Sequence, residues 1–171
     1  MHSMRLSSRS RYAIRMLLDI GLHEEEGLIR LKDIAQRQKL PLSYLENLIA
    51  PLQARGILKT ASGPRGGVCL SKYPEDISLN DVIEIMDGPI APVDCLDNPG
   101  AYPDAELCVL RDIWNEVRQA AQTVLASKTL QELVRRQREK LALNPPEGGK
   151  LNIIKTILSE KVKHKNGDNN H

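Results

Sequence analysis

The chain has 171 residues, of which 41% are hydrophobic, 27% charged and 3% aromatic, a composition that excludes a fibrous repeat and favours a helical core of aliphatic side chains. Because it has no long apolar run, no apolar segment near its start and only three cysteines, we expect a cytoplasmic protein without a membrane span or a disulfide scaffold. Residues 1–72 carry 12 Lys and Arg against 6 Asp and Glu, whereas residues 73–171 carry 12 against 16. This asymmetry is either a chance distribution of solvated charge or a basic front half that faces a polyanion.

Three helices are predicted in the first third of the chain. Residues 10–23 place apolar side chains on one wide face, with Ser10 as the expected N-terminal cap. The acidic turn at 24–27 ends this helix with a glycine that can take a positive φ. Two shorter amphipathic helices follow, at 31–40 and 42–56.

The pattern then changes from helical to strand-like. Pro51 lies inside the third helical pattern and is expected to kink that helix or to loosen its middle turn. Two short strand-like runs, 57–60 and 68–72, surround a glycine-rich turn at 61–67 and predict a β-hairpin. Three helices followed by a basic-tipped hairpin are the order of a winged helix-turn-helix, so we predict a mainly α fold with a small β-hairpin wing. The predicted boundaries are 4–88 for the DNA-binding domain, about 31–54 for the helix-turn-helix and about 57–72 for the wing.

The second half of the chain contains a long loop and a long helix. A helix at 78–88 opens with Ser78 and Asp81 in a capping-box arrangement and should pack on the winged domain. Residues 89–106 contain four prolines and no periodicity, and a loop of this length is more often functional than a plain connection. The pattern at 107–134 carries a continuous apolar stripe, which predicts a dimerisation helix. The predicted divisions are a cysteine-containing sensor loop at 89–106, the dimerisation helix and a following short helix capped by Thr129 at 107–143, and a linker, short helix and disordered tail at 144–171.

The third helix is the candidate recognition helix. Its first residues place Ser43, Tyr44, Glu46 and Asn47 outward between inward-facing leucines. Serine bonds either base, asparagine pairs with adenine and glutamate accepts from cytosine, and recognition helices contact bases mainly through their N-terminal residues. The alternative is a solvated polar face with a serine cap.

The hairpin tip at 63–67 carries one cation, Arg65. It lacks the pattern of a phosphate-binding loop and no helix follows it. A glycine-rich tip with one arginine suits a wing that approaches DNA, with Arg65 in the minor groove or at a phosphate. The alternative is an ordinary hairpin turn with an exposed arginine.

Several short motifs within residues 4–134 occur together in one known family. They are residues 4–13 (MRLSSRSRYA), 33–35 (DIA), 42–46 (LSYLE), 51–52 (PL), 56–58 (GIL), 63–67 (GPRGG) and 129–133 (TLQEL). In this combination the sequence resembles the IscR-type winged-helix regulators, the iron–sulfur assembly regulator and relatives such as NsrR and CymR. The resemblance implies a homodimeric repressor that binds a palindromic promoter site, with one recognition helix in each major groove.

The resemblance also carries residue roles to this chain. Base-contacting residues of the iron–sulfur regulator match Ser43, Glu46 and Asn47, whereas an arginine ahead of its wing matches Ser62, so that contact is missing or has moved to Arg65. The candidate DNA-binding residues are Arg5, Arg9, Ser43, Tyr44, Glu46, Asn47 and Arg65.

Two other classes of function are weighed against a regulator. The sequence has no G-x-S-x-G, no nucleotide fingerprint, no paired carboxylates in a motif and no histidine placed near a cysteine, so we expect no enzyme. A protein-binding adaptor would bind DNA weakly and without sequence preference, whereas a regulator prefers a palindrome and loses affinity steeply with salt.

The cysteines leave three alternatives open. Iron–sulfur members of the family carry three cysteines in this loop, but here Ala101 stands between Cys95 and Cys108 where the second is expected, and Arg111 stands at the position of a family histidine ligand. The resemblance implies control of iron–sulfur biogenesis genes through a [2Fe–2S] cluster on Cys95 and Cys108, with this chain an apo or ligand-deficient form. The alternatives are a thiol switch, and a clusterless regulator that senses a partner or metabolite. Cys69 is expected to be a small buried core residue.

Overall fold

The protein is described by a computed structural model that covers residues 6–98, 100 and 107–144. It is mainly α-helical with one two-stranded antiparallel sheet, which confirms the predicted fold class. The helices and strands are α1 (Ser8–Leu22), α2 (Leu31–Gln38), α3 (Leu42–Ala54), β1 (Leu58–Ala61), β2 (Gly67–Leu70), α4 (Leu79–Asp87), α5 (Val109–Ala126) and α6 (Leu130–Leu143). None of the helices in these ranges is both long and apolar enough to cross a lipid bilayer.

The chain separates into two compact units, Met1–Leu133 and Val134–His171. The first unit contains the winged helix-turn-helix. The described part of the second unit is the remainder of α6, where Arg135 and Glu139 form an ion pair of 2.7 Å one turn apart. From residue 145 onward, the predicted linker, short helix and tail lie outside the residues that the structure describes.

Helix α1 begins before the predicted cap. Its N-cap is Ser7, whose hydroxyl oxygen accepts a hydrogen bond from the backbone N–H of Ser10 at 3.2 Å. Ser10 itself is completely buried, and its hydroxyl donates to the carboxylate of Asp87 at 2.6 Å. The prediction of Ser10 as the cap is therefore wrong, because the partner of this hydroxyl comes from a helix 77 residues further along the chain.

The first three helices pack around a core of aliphatic side chains. The residues of this core that are least exposed are Ala13, Met16, Leu17 and Ile20 of α1, Ile34 of α2, and Leu45, Leu48 and Leu52 of α3. Helix α3 runs through Pro51 to Ala54 without a break. A proline inside a helix removes one hydrogen bond, and its ring clashes with a carbonyl group of the preceding turn. Leu48 and Leu52 on either side of it are nevertheless held in the core, so tertiary packing keeps the helix continuous.

A buried acidic residue fixes α2 against α1. Asp19 is 1% exposed, and its carboxylate accepts hydrogen bonds from Arg37 at 2.6 Å and from Gln38 at 2.8 Å. Burial disfavours the charge of the guanidinium, but the hydrogen bond and the negative charge of Asp19 outweigh this effect and raise the pKa of Arg37. Arg37 therefore stays charged, and the pair sets the position of the first helix of the helix-turn-helix.

The wing is a hairpin joined to the segment before α2. In the hairpin Leu58 pairs with Leu70 and Ala61 with Gly67. Ile29 forms an additional bridge to Val68, with backbone hydrogen bonds of 2.8 and 2.9 Å. A Cβ on Gly67 would lie 2.5 Å from the carbonyl oxygen of Ile29, so only glycine fits this close approach.

Cys69 does not lie in the core. Side chains alternate along a strand, so the burial of Val68 and Leu70 turns Cys69 to the opposite face, where it pairs with the exposed Lys59 and is half-buried. The prediction of a buried Cys69 is therefore wrong.

Helix α4 has the predicted capping box, in which Ser78 and Asp81 satisfy each other's backbone N–H groups. The start of α4 is joined to the turn between α5 and α6. The backbone N–H of Leu79 donates to Lys128, and that of Leu130 donates to Ile77, each at 2.8 Å. These contacts bring the chain back to the start of α4 after the long loop and α5.

Candidate nucleic-acid interface and cysteine loop

The N-terminal turns of α3 present a polar face to solvent. Ser43, Glu46 and Asn47 are exposed, and their spacing places them on one side of the helix. Leu45 and Leu48 on the other side are 0% and 1% exposed. The burial of the leucines fixes the rotation of α3, so the three polar side chains point away from the core together.

Two side chains of this helix lie differently from the sequence-based expectation. Leu42 is 40% exposed rather than inward-facing, because it occupies the first helical position, before α3 reaches the core. Tyr44 is half-buried, and its ring packs edge-on against Tyr12 of α1 with 5.2 Å between ring centroids. Tyr44 therefore also contributes to the packing of α1 against α3. Arg15 of α1 lies 6.0 Å from the centroid of the same Tyr12 ring.

The candidate phosphate-binding cations lie on two elements of the winged domain, α1 and the wing. Arg9 is exposed in the first turn of α1, and Arg65 is exposed at the wing tip. Arg5 lies outside the described residues. A third cation, Arg30, lies beside the wing, and its guanidinium donates a hydrogen bond to the carbonyl oxygen of Pro64 at the wing tip at 3.3 Å. The bridge between Ile29 and Val68 brings Arg30 to the wing, and this long-range pairing has no local sequence signal.

The first part of the cysteine loop is attached to α5. Cys95 lies in a short turn, Asp94–Leu96, and is half-buried, and its backbone carbonyl accepts a hydrogen bond from Arg111 at 3.4 Å. Asp97 forms an ion pair of 3.6 Å with Arg118. Cys108 is exposed immediately before α5, and both cysteines are free thiols. The contacts with α5 hold one half of the loop, and Ala101 lies in the part outside the described residues.

The residues present do not fit a complete [2Fe–2S] ligand set. Such a cluster takes four protein ligands, commonly cysteine thiolates, whereas the loop supplies two. The arginine at the expected histidine position has no lone pair to donate to iron, and its guanidinium is engaged with the Cys95 backbone. Over residues 6–98, 100 and 107–144, no group of three or more His, Cys, Asp or Glu side chains could hold a metal ion.

Helix α5 carries an exposed apolar surface. None of its 18 residues is buried. The exposed apolar side chains at and near its start are Leu107, Val109, Leu110, Ile113 and Trp114, with Val124 near its end. An apolar stripe of this length on a helix is unusual for a surface that faces only water.

The winged helix-turn-helix and its exposed polar helix face define a class of transcriptional regulators, and the comparisons with known proteins agree. The profile of the family described as "Rrf2: Iron-dependent Transcriptional regulator" matches residues 6–136. The chain belongs to this Rrf2 family.

Three relatives in this family are 35–40% identical to the chain over the aligned residues. Protein rrf2 of Nitratidesulfovibrio vulgaris (strain Hildenborough) is 40% identical over 132 residues, which are 77% of this chain and 88% of that protein. The HTH-type transcriptional regulator CymR of Bacillus subtilis is 35% identical over 76% of this chain and 89% of its own length. The regulator IscR of Serratia proteamaculans is 35% identical over 78% and 81%. CymR and IscR are named as transcriptional regulators, whereas the name of protein rrf2 states no activity.

Solved structures show the same fold. The structure of CymR (YrzC), described as the global cysteine regulator of B. subtilis, superposes with a TM-score of 0.65 and 33% identity, over 77% of this chain and 97% of that one. The structure of T. potens IscR superposes with a TM-score of 0.66 and 29% identity, over 86% and 96%. The resemblance to regulators of the IscR type is thus confirmed for the family and the fold.

Proposed function

We propose that this regulator acts as a homodimer on a palindromic promoter site in the cytoplasm, with α3 of each subunit in a major groove. The observation that carries the proposal is the exposed face formed by Ser43, Glu46 and Asn47 at the N-terminal turns of α3. No hydrogen bond or ion pair engages these side chains within the described residues, so their polar groups are available to base edges.

The wing and the start of α1 supply the contacts to the DNA backbone in this proposal. Arg65 is exposed at a tip that Arg30 and the Ile29–Val68 bridge hold against α2. A wing fixed in this way can place its arginine at the minor groove or at a phosphate when α3 is docked. Arg5, Arg9 and the hydroxyl of Tyr44 complete the proposed set.

The dimer forms through α5. Its 18 residues span about 27 Å, and its apolar side chains remain exposed in the monomer. A second copy of the same helix offers a matching apolar surface, and such self-complementary contacts are typical of twofold dimers. The pairing would place two winged domains at a fixed separation, as a palindromic site requires.

The cysteine loop is proposed to be the sensor, but not as a complete cluster site. The resemblance implies a [2Fe–2S] cluster that controls iron–sulfur biogenesis genes, and this chain offers only two of the thiolates that such a cluster needs. We therefore propose that the cysteine loop of this chain is a ligand-deficient form of the family's cluster site. The exposed Cys108 and half-buried Cys95 favour the alternative in which the loop responds to thiol oxidation or to a partner protein.

Selection from a random duplex library tests the DNA-binding function. The full chain is incubated with the library at several salt concentrations, and bound duplexes are sequenced. We expect a palindromic motif whose two halves are about one helical turn apart. Recovery of unchanged library sequences at every salt concentration would contradict the proposal and favour the adaptor.

Anaerobic reconstitution with iron and sulfide tests the ligand-deficient assignment. The wild-type chain, Ala101→Cys and the control Ala91→Cys are compared by visible absorption and iron content. We expect sulfur-to-iron absorption bands for Ala101→Cys alone, because only that variant restores a third thiolate at the family spacing and leaves a single position for a ligand other than cysteine. Bands in the wild-type chain would contradict the assignment, and colourless protein in all three would remove the cluster site.

A further inference from the structure

The C-terminal end of α4 meets the N-terminal end of α1 at one carboxylate, Asp87. Its Oδ2 atom accepts hydrogen bonds from the backbone N–H of Ser7 at 3.2 Å and from the hydroxyl of Ser10 at 2.6 Å. Its Oδ1 atom accepts from the hydroxyl of Ser7. Three donors from a single helical turn of α1 therefore converge on one acidic side chain that is about 80 residues away in sequence.

The position of Asp87 in its own helix is electrostatically unfavourable. The C-terminal end of a helix carries partial negative charge and stabilises cations rather than carboxylates, yet Asp87 is the last residue of α4. The N-terminal end of α1 carries partial positive charge, and Ser10 is a buried hydroxyl that needs a partner. The hydrogen bonds to α1 thus explain why a carboxylate occupies this position, although it is unfavourable for the dipole of α4.

The same turn of α1 carries a candidate DNA-binding cation. Arg9 lies between the two serines that Asp87 holds and is exposed. We propose that Asp87 is a positioning residue for DNA binding, which fixes the first turn of α1 so that Arg9 meets a DNA phosphate. This inference rests on the proposed backbone contact of Arg9. Gly88 caps the C-terminal end of α4 and is followed directly by the cysteine loop at 89–106, so Asp87 is the last side chain of α4 before that loop.

Asp81 provides a matched control for Asp87. Its carboxylate likewise accepts hydrogen bonds from a serine, from the hydroxyl of Ser78 at 2.7 Å and from the backbone N–H of Ser78 at 3.2 Å. It stabilises the start of α4, however, and forms no hydrogen bond or ion pair with the described residues of α1. Asp81→Ala should lower the melting temperature by roughly 2–4 °C. Asp87→Ala should lower it further, because it also leaves the buried Ser10 hydroxyl without a partner, and only Asp87→Ala should change the contacts with DNA.

The experiment measures affinity for a fluorescent duplex selected by the wild-type chain, between 50 and 200 mM salt. Each lost phosphate contact lowers the slope of log affinity against log salt by about 0.9, and a dimer contains two copies of Arg9. We expect Asp87→Ala and Arg9→Ala each to lower the slope by about 2. The ratio of wild-type to variant affinity should therefore be about tenfold smaller at 200 mM than at 50 mM salt. The double variant should lose no more slope than Arg9→Ala alone.

The outcomes separate this inference from the proposed function. A wild-type slope in Asp87→Ala, together with a reduced slope in Arg9→Ala, would overturn the positioning role and leave a structural one. A wild-type slope in Arg9→Ala would remove the phosphate contact itself, and failure of the wild-type chain to bind any duplex would remove DNA binding. If Asp87→Ala does not fold, Asp87→Leu, which has a side chain of similar size that accepts no hydrogen bond, is measured in its place against the same expectation.

Discussion

The guanidinium of Arg30 donates a hydrogen bond to the carbonyl oxygen of Pro64 and joins the start of α2 to the wing tip at a distance of 3.3 Å. One residue earlier, Ile29 pairs with Val68 of β2. The wing is therefore attached to the helix-turn-helix at two neighbouring positions. Its arginine, Arg65, is consequently presented by a hairpin with a defined position relative to α2.

Replacement of Arg65 by alanine should weaken DNA binding about equally on all sequences. The expected role of Arg65 is a contact to the backbone, which carries no base information, or to the minor groove, which distinguishes only A·T from G·C pairs. The slope of log affinity against log salt should fall by about 2 for the dimer. Lys128→Ala, which removes the same charge outside the wing and the recognition helix, is the control and should keep the wild-type slope. A change of site preference in Arg65→Ala would contradict a backbone role.

An acidic side chain on the apolar face of α5 should separate the proposed dimer. Ile113→Asp places a carboxylate where an apolar partner is expected, and an unpaired charge in an apolar interface costs several kcal/mol. Dimer affinity should fall by about 100-fold or more, measured by analytical ultracentrifugation. Gln119→Asp adds the same charge on the opposite side of α5 and should leave the dimer intact. Equal molecular masses of both variants and wild type would contradict the assignment of α5 as the interface.

The ion pair of Arg37 with Asp19 should contribute strongly to stability. Arg37→Met leaves the buried carboxylate of Asp19 without its cation, which costs about 3–5 kcal/mol of unfolding free energy. Arg135→Met breaks an exposed pair of nearly equal distance, 2.7 against 2.6 Å, and should cost less than about 1 kcal/mol. Urea denaturation measures both values. The double variant Asp19→Asn/Arg37→Met should be more stable than Arg37→Met alone, and the opposite order would show that the charge of Asp19 is not the cause.

The parts of the fold that depend on local pattern were predictable from the sequence. The apolar spacing of α1, α2 and α3 and the glycine-rich turn of the hairpin predict the winged helix-turn-helix. The capping box at Ser78 and Asp81 is likewise a local signal, and the structure confirms it. These features depend on residues within a few positions of one another, so a single sequence contains the information.

The features that could not be predicted from the sequence depend on partners that are distant along the chain. Ser10 is a plausible local cap, but its hydroxyl is used by Asp87. Arg30 has no motif of its own and becomes a wing contact only through the pairing of Ile29 with Val68. The proposed ligand deficiency of the cysteine loop, in contrast, depends on the sequence alone, because Ala101 and Arg111 stand where the family resemblance places ligands.

The most direct test of the account compares the sites selected from a random duplex library by the wild-type chain, by Glu46→Ala and by the control Glu75→Ala. Glu46 is exposed at the N-terminal end of α3, and a contact between glutamate and cytosine is worth about 1–3 kcal/mol of discrimination at one base pair. We expect Glu46→Ala to relax the preference at one symmetry-related position in each half-site and Glu75→Ala to select the wild-type palindrome. An identical motif from Glu46→Ala and wild type would contradict the assignment of α3 as the recognition helix.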